Sequence, residues 1–162
     1  MIKDDSGADF LIAKMGAILV VASILIVFLL SGMSNLLSTF SASHARGEAQ
    51  KISEFARLAY YTEVVDSTTD RSLIVSIPAS VRLLAFGAIP GNGSPVRMRQ
   101  SYFIEYMDGR SETYVADVPF AFDGPVGPSD LPVLLYPGRY SVKARPVSLN
   151  GSIMACICAE AI

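Results

Sequence analysis

Met15 to Leu30 reads MGAILVVASILIVFLL and holds no charged residue. Ser31 to Leu37 extends it with only small polar interruptions. A helix needs about 20 mainly apolar residues to cross the hydrocarbon core of a bilayer, and Lys14 to Leu37 supplies that length. The run is apolar on every side, whereas a surface helix of a water-soluble domain shows a stripe. Because a helix satisfies its own backbone hydrogen bonds, lipid can accept it. A chain of 162 residues cannot build a soluble core large enough to surround such a rod. The expectation is a transmembrane or filament-core helix over 8–38. The stretch is too long for an ordinary cleaved secretory signal, and Ser41-Ala42-Ser43 is the nearest approach to a signal-peptidase site.

Hydrophobic residues make up 51% of the chain and charged residues 17%, and the excess lies mostly between Phe10 and Leu37. Net charge is −2, and no basic patch interleaves with aromatic residues, which argues against a nucleic-acid partner. Lys3 and Lys14 flank one side of the apolar run, and Arg46, Lys51 and Arg57 flank the other. That count slightly disfavours an extracytoplasmic C-terminal domain, but large domains translocate largely regardless of flanking charge. Ala13, Gly16 and Ala17 place small residues where helix backbones can approach closely.

Downstream, His44 to Val65 has a helical period. Ala45, Ala49, Ile52, Ala56 and Ala59 recur at spacings of three and four, with Phe55 and Leu58 widening the stripe. Glu48, Lys51, Glu54 and Arg57 are expected on the solvated face. This amphipathic connecting helix is assigned to 39–66, with a soft joint near Ser41–Gly47, since glycine costs about 1 kcal/mol in a helix against alanine. His44 is the sole histidine. Without ligand partners at metal spacing, it reads as an interfacial residue.

The periodicity then changes to that of strands, and 67–162 is expected to be an extracytoplasmic β-domain. Ser67 to Asp70 is a turn-like linker. Strands are expected over 72–77, 81–86, 96–106, 111–118, 139–147 and 152–159, with a short one at Leu134-Leu135. Asp108-Gly109 is a type I′ hairpin signal, and Asn150-Gly151 is a second hairpin signal. The stretch 120–131, rich in proline and glycine, reads as a long loop and candidate contact surface. The fold class is therefore α+β, a long N-terminal helix followed by an all-β antiparallel sandwich. Leu134 to Val142 (LLYPGRYSV) resembles the P-G-x-Y-x-V strand start of Ig-like or prealbumin-like modules, and Tyr140 and Val142 are read as inward residues of a sandwich, not as a binding site.

Cys156 and Cys158 are two apart, so on a strand they share a face at about 6.5–7 Å, at or beyond disulfide range. They read as small core residues of the last strand, with a strained bridge, an intermolecular bridge or a metal role as alternatives. Asn92-Gly93-Ser94 and Asn150-Gly151-Ser152 are sequons, which makes Asn92 and Asn150 candidate glycosylation sites if the domain is exported. Asn-Gly is equally good turn chemistry, and Pro95 disfavours the first. No phosphate loop, dinucleotide fingerprint, metalloprotease motif or paired carboxylate is present. The chain is read as non-enzymatic, with no cofactor and no metal.

The start of the chain reads MIKDDSG followed by ADFLIAKMGAILVV. A short charged leader that ends in glycine just before a long apolar helix resembles type IV pilins, archaeal pilins and archaellins. Their class III signal peptides are cut before the apolar segment, so that it stays in the mature subunit. The resemblance implies residues 1–7 as the leader, a cut between Gly7 and Ala8, and helix packing in a filament core. The expected partners are a lipid bilayer and further copies of the chain or other filament subunits. The expected location is the cell membrane in single-pass form, or an extracellular filament. The alternative is a single-pass anchored extracytoplasmic binding or accessory protein, such as a stator.

Overall fold

A computed structural model describes residues 6–62 and 72–162. Within the helix, nothing is described of the side chains of residues 6–13, 34 and 35. The chain divides into two compact units, one up to Phe40 and one from Ser41 to Ile162. The linker read at Ser67 to Asp70, and with it the boundary at 66/67, lies outside the described residues.

The first unit is helical from Ser6. Its described side chains are largely exposed, among them Leu19, Phe28, Leu29 and Phe40. Ser23 donates its hydroxyl to the Leu19 carbonyl one turn back at 2.8 Å, which satisfies a polar group without water.

The helix assignment, α1, is continuous over Ser6–Tyr61, and the division between the two units falls at 40/41, beside the expected soft joint at 41–47. One glycine costs little against a whole packed face, and Gly47 sits where a side chain would meet nothing. From Ser41 onward α1 belongs to the second unit. Ala42, Ala45, Ala49, Ile52 and Ala56 join a core cluster shared with both β-sheets. The small alanines let the helix backbone approach closely, and Ile52 fills the space between. Leu58 is not part of this stripe and is 62% exposed.

Nine strands follow, namely β1 (Leu73–Ile77), β2 (Val81–Ile89), β3 (Val96–Tyr106), β4 (Ser111–Val115), β5 (Phe120–Gly124), β6 (Gly127–Ser129), β7 (Val133–Leu135), β8 (Gly138–Leu149) and β9 (Ser152–Ala161). They form a five-stranded sheet in the order β1-β8-β9-β5-β6 and a four-stranded sheet in the order β4-β3-β2-β7. Alternation places Val75, Ile77, Leu84, Phe86, Tyr102, Ile104, Phe120, Val142 and Ile157 in one shared core. The expected Ig-like layering is compatible with this arrangement. Val142 is fully buried and Tyr140 packs against the core, both inward as expected. The pairing is antiparallel except between β5 and β9, which run parallel.

Two local expectations change. The stretch 120–131 is not a free loop, because β5 and β6 pair as a hairpin inside it, from Phe122↔Ser129 to Gly124↔Gly127. Phe120 is wholly buried there and cannot offer a contact surface. The Asp108-Gly109 turn is not type I′. Only Gly109 has positive φ (83°), with Gly109 N donating to Tyr106 O and Tyr106 N to Arg110 O. That is a three-residue loop ending in a left-handed glycine. Asn150 (φ 52°) and Gly151 (φ 77°) do form the primed turn between β8 and β9.

An aromatic ladder crosses the core. Tyr114 stacks on Tyr102 at 5.0 Å, Tyr102 on Phe86 at 5.3 Å, and Phe86 meets Phe120 edge-on at 5.3 Å across the sheets. At the Phe120 end, Arg97 ties the two sheets together. Its guanidinium donates to the Gly87 carbonyl on β2, to the Phe120 carbonyl on β5 at 2.5 Å, and to Asp130 at 2.6 Å. Gly87 lies at a register shift in β2, has φ +77°, and is so close to Arg97 that a Cβ would lie 1.9 Å from a guanidinium nitrogen. Gly87→Ala is therefore expected to expel Arg97 and strain the backbone together, at a cost of about 2–4 kcal/mol. Denaturant unfolding followed by tyrosine fluorescence measures this; a loss below about 0.5 kcal/mol would show the clamp to be dispensable.

Candidate functional surface

The apolar segment of α1 is the part of the chain whose chemistry is least suited to water. Over Lys14–Tyr61 it is long and apolar enough, by length and composition, to cross a membrane, with a mean hydropathy of 2.6 in its best window and none of that window buried within the chain. Gly16 and Ala17 are exposed on it, and a Cβ added at Gly16 or at Gly32 would meet nothing within 4 Å. Among the described residues, no packing contact asks for glycine at those positions. The side chain of Ala13 and the surroundings of Gly7 and Ala8 lie outside the description.

In the second unit, carboxylates fasten α1 to the sheets. Glu48, expected in solvent, is only 5% exposed. Its carboxylate accepts from the Ser76 backbone N–H on β1 at 3.0 Å and from Lys51 at 2.6 Å. Burial raises the Glu48 pKa, but these two donors outweigh it and hold the group below its ordinary range. The position was legible in principle, since Glu48 stands three residues after Ala45 and four before Ile52, within the buried stripe.

The second fastening joins Arg46 to Glu112 on β4. The Arg46 Nε donates to Glu112 at 2.7 Å and a second guanidinium nitrogen completes a bidentate pair. The hydroxyls of Tyr114 (2.7 Å) and Tyr106 (3.2 Å) donate to the same carboxylate. The hydrogen bond from Arg46 is the chief cause holding the Glu112 carboxyl down to about 2, against burial, with Tyr114 assisting. Burial first, then the bond to Glu112, pushes Tyr114 up to about 12. Sequence spacing gave no sign of this pair, because its members are sixty-six residues apart and meet only once the sheet has formed.

Cys156 is buried and Cys158 half-buried, and both are free thiols on the same face of β9. Burial pushes the Cys156 thiol up to about 11, which leaves it in the unreactive protonated form. Asn92 lies in the exposed loop between β2 and β3, and Asn150 in the exposed β8–β9 turn. His44 is exposed on α1. Among the described residues, no group of three or more His, Cys, Asp or Glu side chains could hold a metal. The remaining clustered charges pair structurally, as in Arg145 with Asp123 at 2.8 and 3.0 Å and Arg97 and Arg99 with Asp130.

No family model, curated protein or solved structure matches the chain.

The Glu112 geometry fixes a pH dependence. A carboxyl whose folded pKa falls from the usual 4.5 to about 2 adds stability that is complete above pH 4.5 and is lost as pH drops toward 2. Denaturation midpoints measured from pH 6 to pH 2 should fall through that window, and Glu112→Gln should flatten the fall. An unchanged slope in Glu112→Gln would remove the Arg46 pairing as its source.

Proposed function

We propose that this chain is a pilin-like structural subunit of an archaeal-type surface filament, which assembles through its N-terminal apolar helix and presents its β-domain outside. The observation that carries the reading is the helix itself. It is apolar all round, exposed along its described length, and carries glycines at positions where no contact among the described residues calls for them. Lipid before assembly and neighbouring helices after it both supply what that surface lacks. The charged leader MIKDDSG ahead of the helix supports retention of the helix after a cut between Gly7 and Ala8. In this reading the exposed Asn92 and Asn150 are glycan acceptors on the outer domain.

A second reading is a single-pass anchored binding or accessory protein with the same membrane helix. It is favoured by the open edge of β4 and the polar groove beside it in the β-domain.

Native material from an expressing cell separates the two. The filament reading expects helical filaments by electron microscopy and an intact mass lacking residues 1–7. It also expects Gly16→Leu to reduce filament yield at least about tenfold while leaving the unfolding midpoint of the β-domain unchanged, since a new side chain there meets nothing within the chain. Discrete particles with Met1 retained would overturn this reading and leave the anchored one.

A further inference from the structure

Four strands lie at sheet edges: β1, β4, β6 and β7. An open edge is a template for pairing, and proteins guard such edges with short strands, prolines and covering groups. Three of the four are guarded. The Ser76 N–H of β1 is taken by Glu48. β6 is Gly127–Ser129, with Pro128 at its centre. β7 spans only Val133–Leu135, set between Pro132 and Pro137.

β4, Ser111–Val115, has no such guard. It holds no proline, and its one charge, Glu112, is already neutralised by Arg46. Ala116 N donates to Gln100 O at 2.9 Å and Tyr106 N to Arg110 O at 2.8 Å. In an antiparallel ladder, the even-numbered residues of β4 therefore turn their backbone groups toward β3. Ser111, Thr113 and Val115 turn theirs to the free side, and all three are exposed, Val115 by 85%.

Beside the far end of this edge lies a groove of about 300 Å³ between α1 and β4. Gln50, Ser53, Glu54 and Arg57 of α1 line one wall; Tyr102, Tyr114 and Asp117 line the other. Tyr102 is nine-tenths buried and lines the groove with its edge. Glu54 is matched by Arg57, while Asp117 has no cationic partner among the described residues, so the groove keeps a net negative charge.

We propose that the β4 edge and this groove form a docking site for an extended segment of another protein that carries lysine or arginine at alternate positions. The segment pairs its backbone with Ser111, Thr113 and Val115 and adds a fifth strand to the four-stranded sheet. Its side chains alternate between the two faces, so every second one points to the α1 side. A lysine or arginine there lays its aliphatic stem on the Tyr114 ring and brings its charge to Asp117. The proposal does not rest on filament assembly and holds equally for an anchored monomer.

The test uses the full chain in zwitterionic detergent micelles and a fluorescein-labelled heptapeptide of alternating threonine and lysine, with a threonine–glutamate peptide as control. Anisotropy should show the lysine peptide binding at least about tenfold more tightly than the glutamate peptide, with the difference shrinking as salt rises. Asp117→Lys should weaken the lysine peptide about tenfold with an unchanged circular dichroism spectrum. Hydrogen exchange should show the amides of Ser111, Thr113 and Val115 becoming protected by the peptide while those of β7 do not. Equal affinity for both peptides, no binding of either, or unchanged exchange at those three amides would overturn the proposal. Protection that grows with protein concentration in the absence of peptide would overturn it in favour of a second copy as the occupant.

Discussion

The second unit depends on one packing event: the burial of the Ala42, Ala45, Ala49, Ile52 and Ala56 face of α1 in the same core as both sheets. The helix reaches the free flank of each sheet, through Glu48 at Ser76 of β1 and through Arg46 at Glu112 of β4. β1 and β4 are edge strands of different sheets. This stretch of helix thus does the work of a closing layer, covering apolar side chains that two open sheets would leave wet. The polar fastenings set where it sits, and the apolar stripe supplies most of the free energy, since burial of this kind is worth roughly 25 cal/mol per Å².

That arrangement bears on the apolar segment upstream. The helix assignment that carries Met15 to Leu37 also carries the stripe that completes the β-domain core. A cut at Ser41-Ala42-Ser43 would fall ahead of Ala45, Ala49, Ile52 and Ala56 and would spare most of that core layer. Removal ahead of Ala8 leaves both parts intact.

Much of the fold could be read from the residues, because two periods dominate it. The all-round apolar run, the three-and-four spacing from Ala45 to Ala56, and the alternation of Leu73, Val75 and Ile77 each report a single local environment. What escaped were features set by distant partners or by exceptions to propensity. Pro125 and Pro128 made 120–131 look like loop, but they sit at a turn and in an edge strand, where a missing N–H costs little. Glu48 looked solvated because it is charged, yet its carboxylate is the partner that a strand edge needed. Asp108-Gly109 has the composition of a two-residue turn and adopts a longer one, a choice made by register and not by the dipeptide. Arg97 and Glu112 carry no local signal, since their chief partners come from other elements, the β2 and β5 carbonyls and Asp130 for Arg97 and Arg46 of α1 for Glu112.

The claim that α1 completes the β-domain is tested most directly by two truncated chains, one beginning at Ser41 and one at Thr62, compared by urea denaturation without detergent. The account predicts that the chain from Ser41 is a soluble monomer with a cooperative transition. It predicts that the chain from Thr62 has no cooperative transition and aggregates through its uncovered core. Equal, cooperative stability of both chains would show that the helix is a passenger on the sheets, and would contradict the account.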